Sequence, residues 1–424
     1  MALEDNRAEM DRCSQCSYCK WVPFDQIKSW RFARGCPSIA YSNFQSYSAR
    51  GRYAVALSLL DGKSAYSPTV KDVVYKCQAC GLCDVSCKIC RYNLEPLVMI
   101  LELRAKLNHD GQTLSQHEEL IRSLNQSGNM LMQPRGRRGA WAQDLNVKDA
   151  AATKIGIVFH AGCRFSFDPD QRKAARAAVS ALVKAGVDIG IMGSDETCCG
   201  GRAFDLGYRE DFKRCAEKNI QAWTKAGAKT IVTSCSDCYR TFKRLYPAYL
   251  GSQFEILHTV EYAERWMKEG RIKLTQKLPL KVTYHDPCHL GRQGEPFVPW
   301  HGKEKKIFNQ VVVYEPPRPR YNGTQGVYDS PRNVIQSIPG VKLVEMERIR
   351  EYAWCCGAGA GVREAYPQFS SWTAIERIAE AKSTGAEAIV TACPWCERNF
   401  MDAIQAGGEK LKVYDVMDLI QMAL

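Results

Sequence analysis

The sequence predicts an α-helical N-terminal domain followed by two copies of an α/β module with parallel strands. Three observations support this. Apolar residues recur at helical spacing near the N-terminus, short β-rich runs alternate with helical stretches after it, and one cysteine pattern occurs twice. The same patterns give the expected boundaries: an N-terminal domain with its linker over residues 1–150, a first module over 151–277 and a second over 278–424.

The composition is that of a globular chain with an unusual number of cysteines. Of 424 residues, 45% are hydrophobic and 25% are charged, yet 20 are cysteine. The first ten residues are polar and no run of about 18 uncharged apolar residues occurs, so we expect neither a secretion signal nor a membrane span. We therefore expect a cytoplasmic protein, in which many reduced cysteines indicate metal binding and not disulfides.

The formal net charge of +12 predicts a basic surface. Apart from Arg135, Arg137 and Arg138, the basic residues are scattered, which argues against nucleic acid binding. The charge either serves solubility alone or docks the chain onto an acidic partner or anionic lipid, and of the docking roles we favour a partner.

The N-terminal domain is expected to be helical. Apolar residues have helical spacing over Leu94–Leu107 and Ser115–Leu124, and strand-like alternation is scarce. The polar stretch Asn125–Ala152 contains three glycines and a proline, so it is predicted to be a linker.

The two modules are predicted from a repeated cysteine pattern. Each has a single cysteine, then a Cys-Cys-Gly, then a Cys-x-x-Cys, and the last two motifs recur 157 and 158 residues further along the chain. The first cysteines are only 125 residues apart, so the second copy carries extra residues, placed at roughly Gln293–Gln325. Long loops of this kind tend to bind something or to be disordered.

Within each module the cysteines follow predicted strands. Alternating strands and helices imply a parallel sheet with crossover helices, and ligands of such sheets bind at the carboxyl ends of the strands. The predicted strands are Ile155–Phe159, Ile189–Met192, Ile231–Thr233, Val282–Tyr284 and Ala388–Thr391, and the clearest helices are Gln171–Lys184 and Ser371–Lys382.

The N-terminal cysteines predict two cubane [4Fe-4S] clusters. Two C-x2-C-x2-C runs occur, each with a more distant fourth cysteine, and in two-cluster ferredoxins that fourth ligand comes from the other motif. The predicted ligand sets are Cys13, Cys16, Cys19 with Cys87, and Cys77, Cys80, Cys83 with Cys36. No proline follows Cys87, which leaves Cys90 as an alternative ligand, although it is predicted to be a spare thiol. Zinc is the competing interpretation, but it prefers paired Cys-x-x-Cys motifs.

The modules predict further multinuclear sites. Adjacent cysteines can hold two irons of one cluster more easily than they can chelate a single iron. Gly200 and Gly357 let the backbone turn sharply beside the cluster. A Cys-x-x-Cys that opens a helix places two thiolates where backbone N–H groups stabilise negative charge.

These motifs resemble those of the CCG-domain iron–sulfur family, and the whole layout resembles the D subunit of heterodisulfide reductase. The match is carried by the doubled cysteine pattern and by segments such as His285–Arg292 (HDPCHLGR) and Trp354–Gly359 (WCCGAG). The chain is also similar to that enzyme's C and B subunits fused in that order, to subunits of sulfite-reduction membrane complexes, and to the electron-transfer subunit of class II benzoyl-coenzyme A reductase.

The resemblance implies one noncubane [4Fe-4S] cluster in each module. The implied ligands are Cys163, Cys198, Cys199, Cys235 and Cys238 in the first module, and Cys288, Cys355, Cys356, Cys393 and Cys396 in the second. The insert after Cys288 departs from the family pattern and bears on whether the reductase's substrate groove is open. His289 follows a ligand and is a candidate catalytic proton donor, with a hydrogen bond to cluster sulfur or backbone as the alternative.

Other residues are assigned structural roles. Cys215 is predicted to be a packed thiol and His285 a structural histidine, and Trp354 and Trp395 are predicted to shield a cluster from water. His109, His117 and His301 are predicted to lie on the surface. The run from Gly357 to Val362 lacks the third glycine of a dinucleotide loop, and no P-loop or flavin motif occurs.

The function predicted is that of an iron–sulfur electron-transfer subunit in an anaerobic redox complex of heterodisulfide reductase type. The alternative is a catalytic thiol–disulfide reductase, and a weaker one is a partner of a 2-hydroxy-acid or glycerol-phosphate dehydrogenase. A chain holding only one-electron carriers needs a donor and an acceptor. The expected partners are a flavoprotein, a ferredoxin-type protein or a membrane cytochrome or quinone subunit, which would supply any membrane attachment.

Overall fold

A computed structural model describes residues 3–89, 93–308 and 311–424. Cys90, the alternative cluster ligand, lies outside the described residues. The N-terminal domain is helical, as predicted, with short 3-10 turns between its helices. Its α-helices are Arg7–Asp11, Pro37–Ser42, Ala49–Leu60, Pro68–Tyr75, Leu82–Ile89, Pro96–His109 and Ser115–Ser127.

The stretch predicted as a linker is packed against the first module instead. Trp141 is 3% exposed and Arg138 is 1% exposed, so both side chains belong to the interior. At its end, strand β1 (Lys148–Asp149) pairs in parallel with the strand at Ile189–Ile191. The prediction was wrong because glycine and polar content indicate turns but do not reveal what the turns pack on.

The first module contains a parallel sheet that begins with β1. Its other strands are β2 (Ile157–Phe159), β3 (Ile189–Ile191), β4 (Thr230–Thr233) and β5 (Glu255–His258), in the spatial order β1-β3-β2-β4-β5. The helices around it are Gly162–Phe167, Arg172–Lys184, Gly201–Leu206, Arg209–Ala226, Ser236–Arg240, Tyr246–Leu250 and Thr259–Lys268, with a π-helical turn at Thr241–Leu245.

The second module repeats this topology. Its parallel strands are β6 (Leu280–Tyr284), β9 (Val341–Leu343), β10 (Ala388–Thr391) and β11 (Lys412–Asp415), in the order β9-β6-β10-β11. Its helices are Asp329–Gln336, Val362–Ala365, Pro367–Ser383, Pro394–Gly407 and Val416–Ala423. Taken in chain order, the four common strands occupy the same positions in both sheets, which is what a duplicated unit should give.

The insert of the second module forms its own small element. Strands β7 (Lys303–Ile307) and β8 (Val311–Glu315) make an antiparallel hairpin, where the sequence had predicted only a loop. After the hairpin, the insert returns to the N-terminal domain, because Arg320 donates to the backbone carbonyl of Lys88.

The three parts share one interior. Ser236 of the first module donates to the carbonyl of Ala392 in the second at 2.7 Å. Buried Arg104 of the N-terminal domain donates to the carbonyl of Cys77 at 2.6 Å and to that of Asp205 in the first module at 3.0 Å. Among the described residues, no helix is long and apolar enough to cross a membrane.

Candidate iron–sulfur sites

The first group of N-terminal cysteines lies in a loop after the helix Arg7–Asp11. Gln15 and Ser17 have φ values of 58° and 65°, so the backbone turns tightly on either side of Cys16. Cys87 comes from the helix Leu82–Ile89, and burial, the nearby Asp84 and the Cys19 thiol raise its pKa to about 12. The structure thus brings Cys87 to the loop that carries Cys13, Cys16 and Cys19, as the crossed pairing requires.

The second group surrounds one small cavity, which all four predicted ligands line. Cys36 precedes the helix Pro37–Ser42 and lines the cavity with Cys77 and Cys80, which lie on a loop with Gly81 at φ 76°, and with Cys83, at the start of the helix Leu82–Ile89. Burial raises the pKa of Cys36 to about 12.

The donors in both groups fit an iron–sulfur cluster. Each group offers three thiols from one C-x2-C-x2-C segment and one from a distant segment, which is the arrangement of two-cluster ferredoxins. The Tyr53 hydroxyl is buried without a protein hydrogen-bond partner and lies near Cys83 and Cys87. A buried hydroxyl normally needs a partner, so this donor is available to a group held by those thiols.

In the first module, five cysteines converge beyond the carboxyl ends of β2, β3 and β4. Their thiols contact one another in the order Cys163, Cys198, Cys199, Cys238, Cys235. A Cβ on Gly162 would lie 2.9 Å from the Cys238 sulfur, and the φ of Gly162 is +74°, so only glycine fits here.

Three residues beside this group were not predicted. Arg138 donates to the Cys163 sulfur at 3.4 Å and to Glu196 Oε1 at 2.8 Å. The Glu196 carboxylate also accepts the backbone N–H groups of Ala161 and Gly162, at 2.9 and 3.0 Å. His160, the residue after β2, is buried, and burial lowers its pKa to about 4. In the sequence, Arg138 belongs to a short arginine cluster of the kind found on surfaces, and nothing there indicates its burial.

The second module repeats the arrangement with its own five cysteines. Their thiols contact one another in the order Cys288, Cys355, Cys356, Cys396, Cys393. The backbone N–H of Gly357 donates to the Cys355 sulfur at 3.3 Å, as that of Gly200 does to Cys198 at 3.4 Å.

His285 lies within 4.8 Å of the Cys356 and Cys396 sulfurs, ligand atom to ligand atom. Its Nδ1 accepts a hydrogen bond from the buried Arg377 Nε at 3.1 Å, which fixes the orientation of the ring. His160 and His285 each lie three residues before the first cysteine of a module, a correspondence that the sequence of the two copies contains.

Two thiol contacts join the groups to one another. The Cys235 thiol of the first module contacts the Cys393 thiol of the second. In the N-terminal domain, a hydrogen bond from Cys355 lowers the pKa of the Cys80 thiol. The cysteines of the second N-terminal group, the second module and the first module therefore form one continuous series.

His289 lies where the two modules meet. Its Nδ1 is 2.7 Å from Asp237 Oδ1, a residue between the two cysteines of Cys235-x-x-Cys238. Burial opposes its protonation, but the charges of Cys288 and Asp237 raise the pKa of His289 to about 9. Its Nε2 is buried without a partner, and the sequence had not indicated Asp237 as its neighbour.

Both tryptophans beside ligands are buried. Trp395 is 7% exposed and lies under the guanidinium groups of Arg164 and Arg202, with Cζ-to-ring distances of 4.4 and 3.9 Å. Trp354 is 1% exposed and donates to the carbonyl of Thr373 at 3.0 Å.

One of the three histidines predicted on the surface is buried. His109 and His301 are exposed, but His117 is 1% exposed, and its Nε2 is 3.2 Å from the carbonyl oxygen of Gly361. The prediction was wrong for His117 because the second module covers its helix. Cys215 is 5% exposed, in keeping with a packed thiol.

A cavity of about 450 Å³ lies between the N-terminal domain and the two modules. It is lined by apolar side chains such as Leu101 and Phe204, by Arg240 and Arg244, and by Phe297 and Tyr321 of the insert. No cysteine of the described residues lines it.

Comparison with known proteins agrees with this layout. A 4Fe-4S dicluster domain model matches residues 9–89, and a cysteine-rich domain model matches residues 157–243 and 319–401. These matches indicate iron–sulfur clusters in the N-terminal domain and in the modules. The second cysteine-rich match begins inside the insert, so Cys288 lies outside it.

Curated relatives align with most of this chain. The D subunit of the dihydromethanophenazine:CoB–CoM heterodisulfide reductase from Methanosarcina acetivorans is 30% identical over 98% of this chain and 94% of its own length. The Methanosarcina mazei protein of the same name is 29% identical with the same coverage. The EtfAB:quinone oxidoreductase of Syntrophomonas wolfei is 27% identical over 85% of this chain and 48% of its own length.

The chain has two cysteine groups in a helical dicluster domain and one in each of two cysteine-rich modules. It aligns with 94% of the length of the Methanosarcina relatives. The chain is an iron–sulfur oxidoreductase subunit and belongs to the family of heterodisulfide reductase D subunits.

Proposed function

We propose that this chain relays single electrons between a redox partner at its N-terminal domain and the cysteine-rich modules. The observation that carries the proposal is the contact between the Cys80 and Cys355 thiols, which belong to different domains and to different ligand sets. Electron carriers held by these two sets would be neighbours, with no intervening layer of protein.

The proposed cubane ligands are those predicted from the spacing of the cysteines, and the proposed module ligands are those that the family resemblance implies. Cys13, Cys16, Cys19 and Cys87 would hold one cubane cluster, and Cys36, Cys77, Cys80 and Cys83 the other. The five cysteines of each module would hold a noncubane cluster. When bound, such clusters supply one-electron chemistry at potentials set by hydrogen bonding and solvent exposure.

In the relay, the chain's own residues would keep the sites close to one another and exclude water from them. Arg292 donates to the carbonyls of Cys80, Glu351 and Ala353 at 2.6–2.7 Å, which ties the Cys80 loop to the segment that leads into Cys355. Cys355 and Cys393 are each 2% exposed, so these thiols are shielded from water, whereas Cys163 and Cys288 are half-buried.

A second candidate function is a thiol–disulfide reductase. The pair His289–Asp237 favours it, since a buried imidazole beside a ligand cysteine can deliver the proton that disulfide reduction consumes. The cavity next to the insert argues against it. Although the cavity is large enough for a small molecule, none of the described cysteines faces it. The relay is therefore our preferred function.

The partners are proposed from the family. In the relatives' names, the D subunit belongs to a heterodisulfide reductase that uses dihydromethanophenazine, and another relative is an EtfAB:quinone oxidoreductase. By analogy we propose that a flavoprotein, a ferredoxin-type protein or a membrane cytochrome or quinone subunit exchanges electrons with this chain. The chain itself would then be cytoplasmic and reach the membrane through that partner. A role like that of the electron-transfer subunit in class II benzoyl-coenzyme A reductase is a narrower version of the same proposal.

The test is stepwise reduction of the anaerobically reconstituted chain, followed by rapid freezing and electron paramagnetic resonance. A relay predicts that cubane signals appear first and that signals of the module sites follow without added substrate. Reduction of the N-terminal sites that never reaches the modules would contradict the proposal. A disulfide assay on the same sample separates the two candidates, because only the reductase consumes a thiol-linked disulfide.

A further inference from the structure

Cys16 differs from the other proposed ligands in its exposure. It is the only exposed cysteine among the described residues, whereas the module cysteines are buried or half-buried. Its loop is therefore where an external electron carrier can come closest to a ligand set. A docking role for this loop rests on the proposed relay function.

Two exposed aromatic side chains lie close to the residues that follow Cys16. Phe24 is 58% exposed and lies against Tyr18, with ring centroids 5.3 Å apart. Phe44 is 64% exposed and precedes Gln45, whose side-chain amide donates to Ser17 Oγ at 2.9 Å. Grouped exposed apolar side chains mark interaction sites, and interfaces are enriched in aromatic residues.

The same surface is positively charged. Lys20 donates to Gln45 Oε1 at 3.2 Å, and together with Arg34 it lines a surface recess of about 270 Å³. Within the described ranges, neither Lys20 nor Arg34 makes an ion pair. Between Cys13 and Arg50 the sequence has one acidic residue, Asp25, against four basic residues, so this segment carries a net positive charge.

We propose that this surface, formed by Cys16, Lys20, Phe24, Arg34 and Phe44 and named the Cys16 face, docks a small acidic protein that carries one electron at a time. Its exposed rings would be buried at the centre of the contact and its cations would pair with carboxylates of the carrier at the rim. Opposite charges of this kind raise association rates and fix orientation. A lipid surface would also attract the cations, but it would cover the most open ligand and supply no electron.

The test uses the reconstituted chain and a small acidic [2Fe-2S] ferredoxin as the probe. The double variant Lys20→Glu/Arg34→Glu should lower the second-order rate constant of electron exchange by about tenfold or more at low ionic strength, and weaken ferredoxin binding to a similar extent. The difference in rate constant between the double variant and the parent should become smaller as salt is added, because salt screens exposed charges. The extent of reduction by dithionite, a small molecule that needs no docking, should be unchanged.

The control is Lys273→Glu/Lys410→Glu. Both lysines are exposed and lie before the amino ends of β6 and β11, at the opposite edge of the sheet from the cysteines. The control should keep the parent's rate and affinity. The proposal is overturned if both double variants are slowed equally, if neither is slowed, or if the Lys20 and Arg34 changes abolish only binding to phosphatidylglycerol vesicles.

The proposed relay fails separately. If dithionite reduces the N-terminal sites of the parent chain and the electrons never reach the modules, the relay is wrong whatever the docking variants do. If dithionite reduces all sites and the charge reversal leaves the rate of electron exchange with ferredoxin unchanged, the relay proposal stands and the proposed docking role of the Cys16 face is wrong.

Discussion

The thiols of Cys80 and Cys355 lie beside one another across the boundary between the N-terminal domain and the second module, and Cys355 lowers the pKa of Cys80. They are 275 positions apart in the chain. Each stands in a different proposed ligand set, so this contact links the two kinds of site directly. Substitutions can test both the residues that create the contact and the sites on either side of it.

Arg292 should be essential for that contact. Replacing it with Met leaves the carbonyls of Cys80, Glu351 and Ala353 without their charged donor in a buried place. We expect a loss of about 2–4 kcal/mol in the free energy of unfolding and slower electron transfer into the modules. Anaerobic denaturation and freeze-quench kinetics measure the two effects. Arg350→Met, at a partly exposed arginine nearby, is the control and should change both by little.

Arg138 should hold the first module's site. Arg138→Met leaves the buried Glu196 carboxylate without its charged partner and removes the cation beside Cys163. We expect the free energy of unfolding to fall by about 3–5 kcal/mol. Iron per chain, measured after desalting, should fall in this variant. The exposed neighbour Arg137 provides the matched control, because Arg137→Met should keep the parent's iron content and stability. Equal behaviour of the two variants would remove Arg138 from the site.

His117 should make stability depend on pH. Burial and the nearby Arg104 lower its pKa to about 4, against 6.5 for an unperturbed histidine. The unfolded chain therefore binds a proton between pH 6.5 and 4 that the folded chain does not, so stability falls as the pH falls through this window. Between pH 7 and pH 5 the contribution of His117 is about 2 kcal/mol.

Denaturation of His117→Gln at the two pH values measures this contribution. The variant should lose about 2 kcal/mol less than the parent on going from pH 7 to pH 5, and His109→Gln, at an exposed histidine, should lose as much as the parent. A His117→Gln curve parallel to the parent's would show that His117 is not buried and neutral.

The pair His289–Asp237 separates the two candidate functions. In a relay, His289→Gln and Asp237→Asn should leave electron transfer between the sites within about twofold of the parent, because no proton is consumed there. In a disulfide reductase, both variants should lower the turnover rate by about a hundredfold, which is the rate acceleration that a positioned general acid commonly supplies. Iron content should be unchanged in both variants, which shows that the ligand sets remain intact.

Much of the fold could be predicted from local signals. The strand at Ala388–Thr391 and the helix at Arg172–Lys184 were found within a residue because apolar runs and periodicity are local properties of the sequence. The duplication was visible because cysteine and glycine positions are constrained by chemistry in both copies. The positions of Cys36 and Cys87 near the opposite loops follow the spacing rule for two-cluster domains.

Long-range burial could not be predicted. Arg138 and His117 lie in polar sequence, and each is buried only because a distant segment covers it. The partnership of Asp237 with His289 likewise depends on how the two modules pack. Hydrophobic periodicity predicts each helix or strand separately, so it does not predict the contacts between them.

The central claim is tested most directly by metal analysis and stepwise reduction of the anaerobically purified chain. We predict roughly sixteen irons per chain, from two cubane and two noncubane clusters of four. We also predict that electrons given to the N-terminal domain appear at the module sites without any added substrate. Zinc in place of iron, or module sites that stay oxidised while the N-terminal sites are reduced, would contradict the claim.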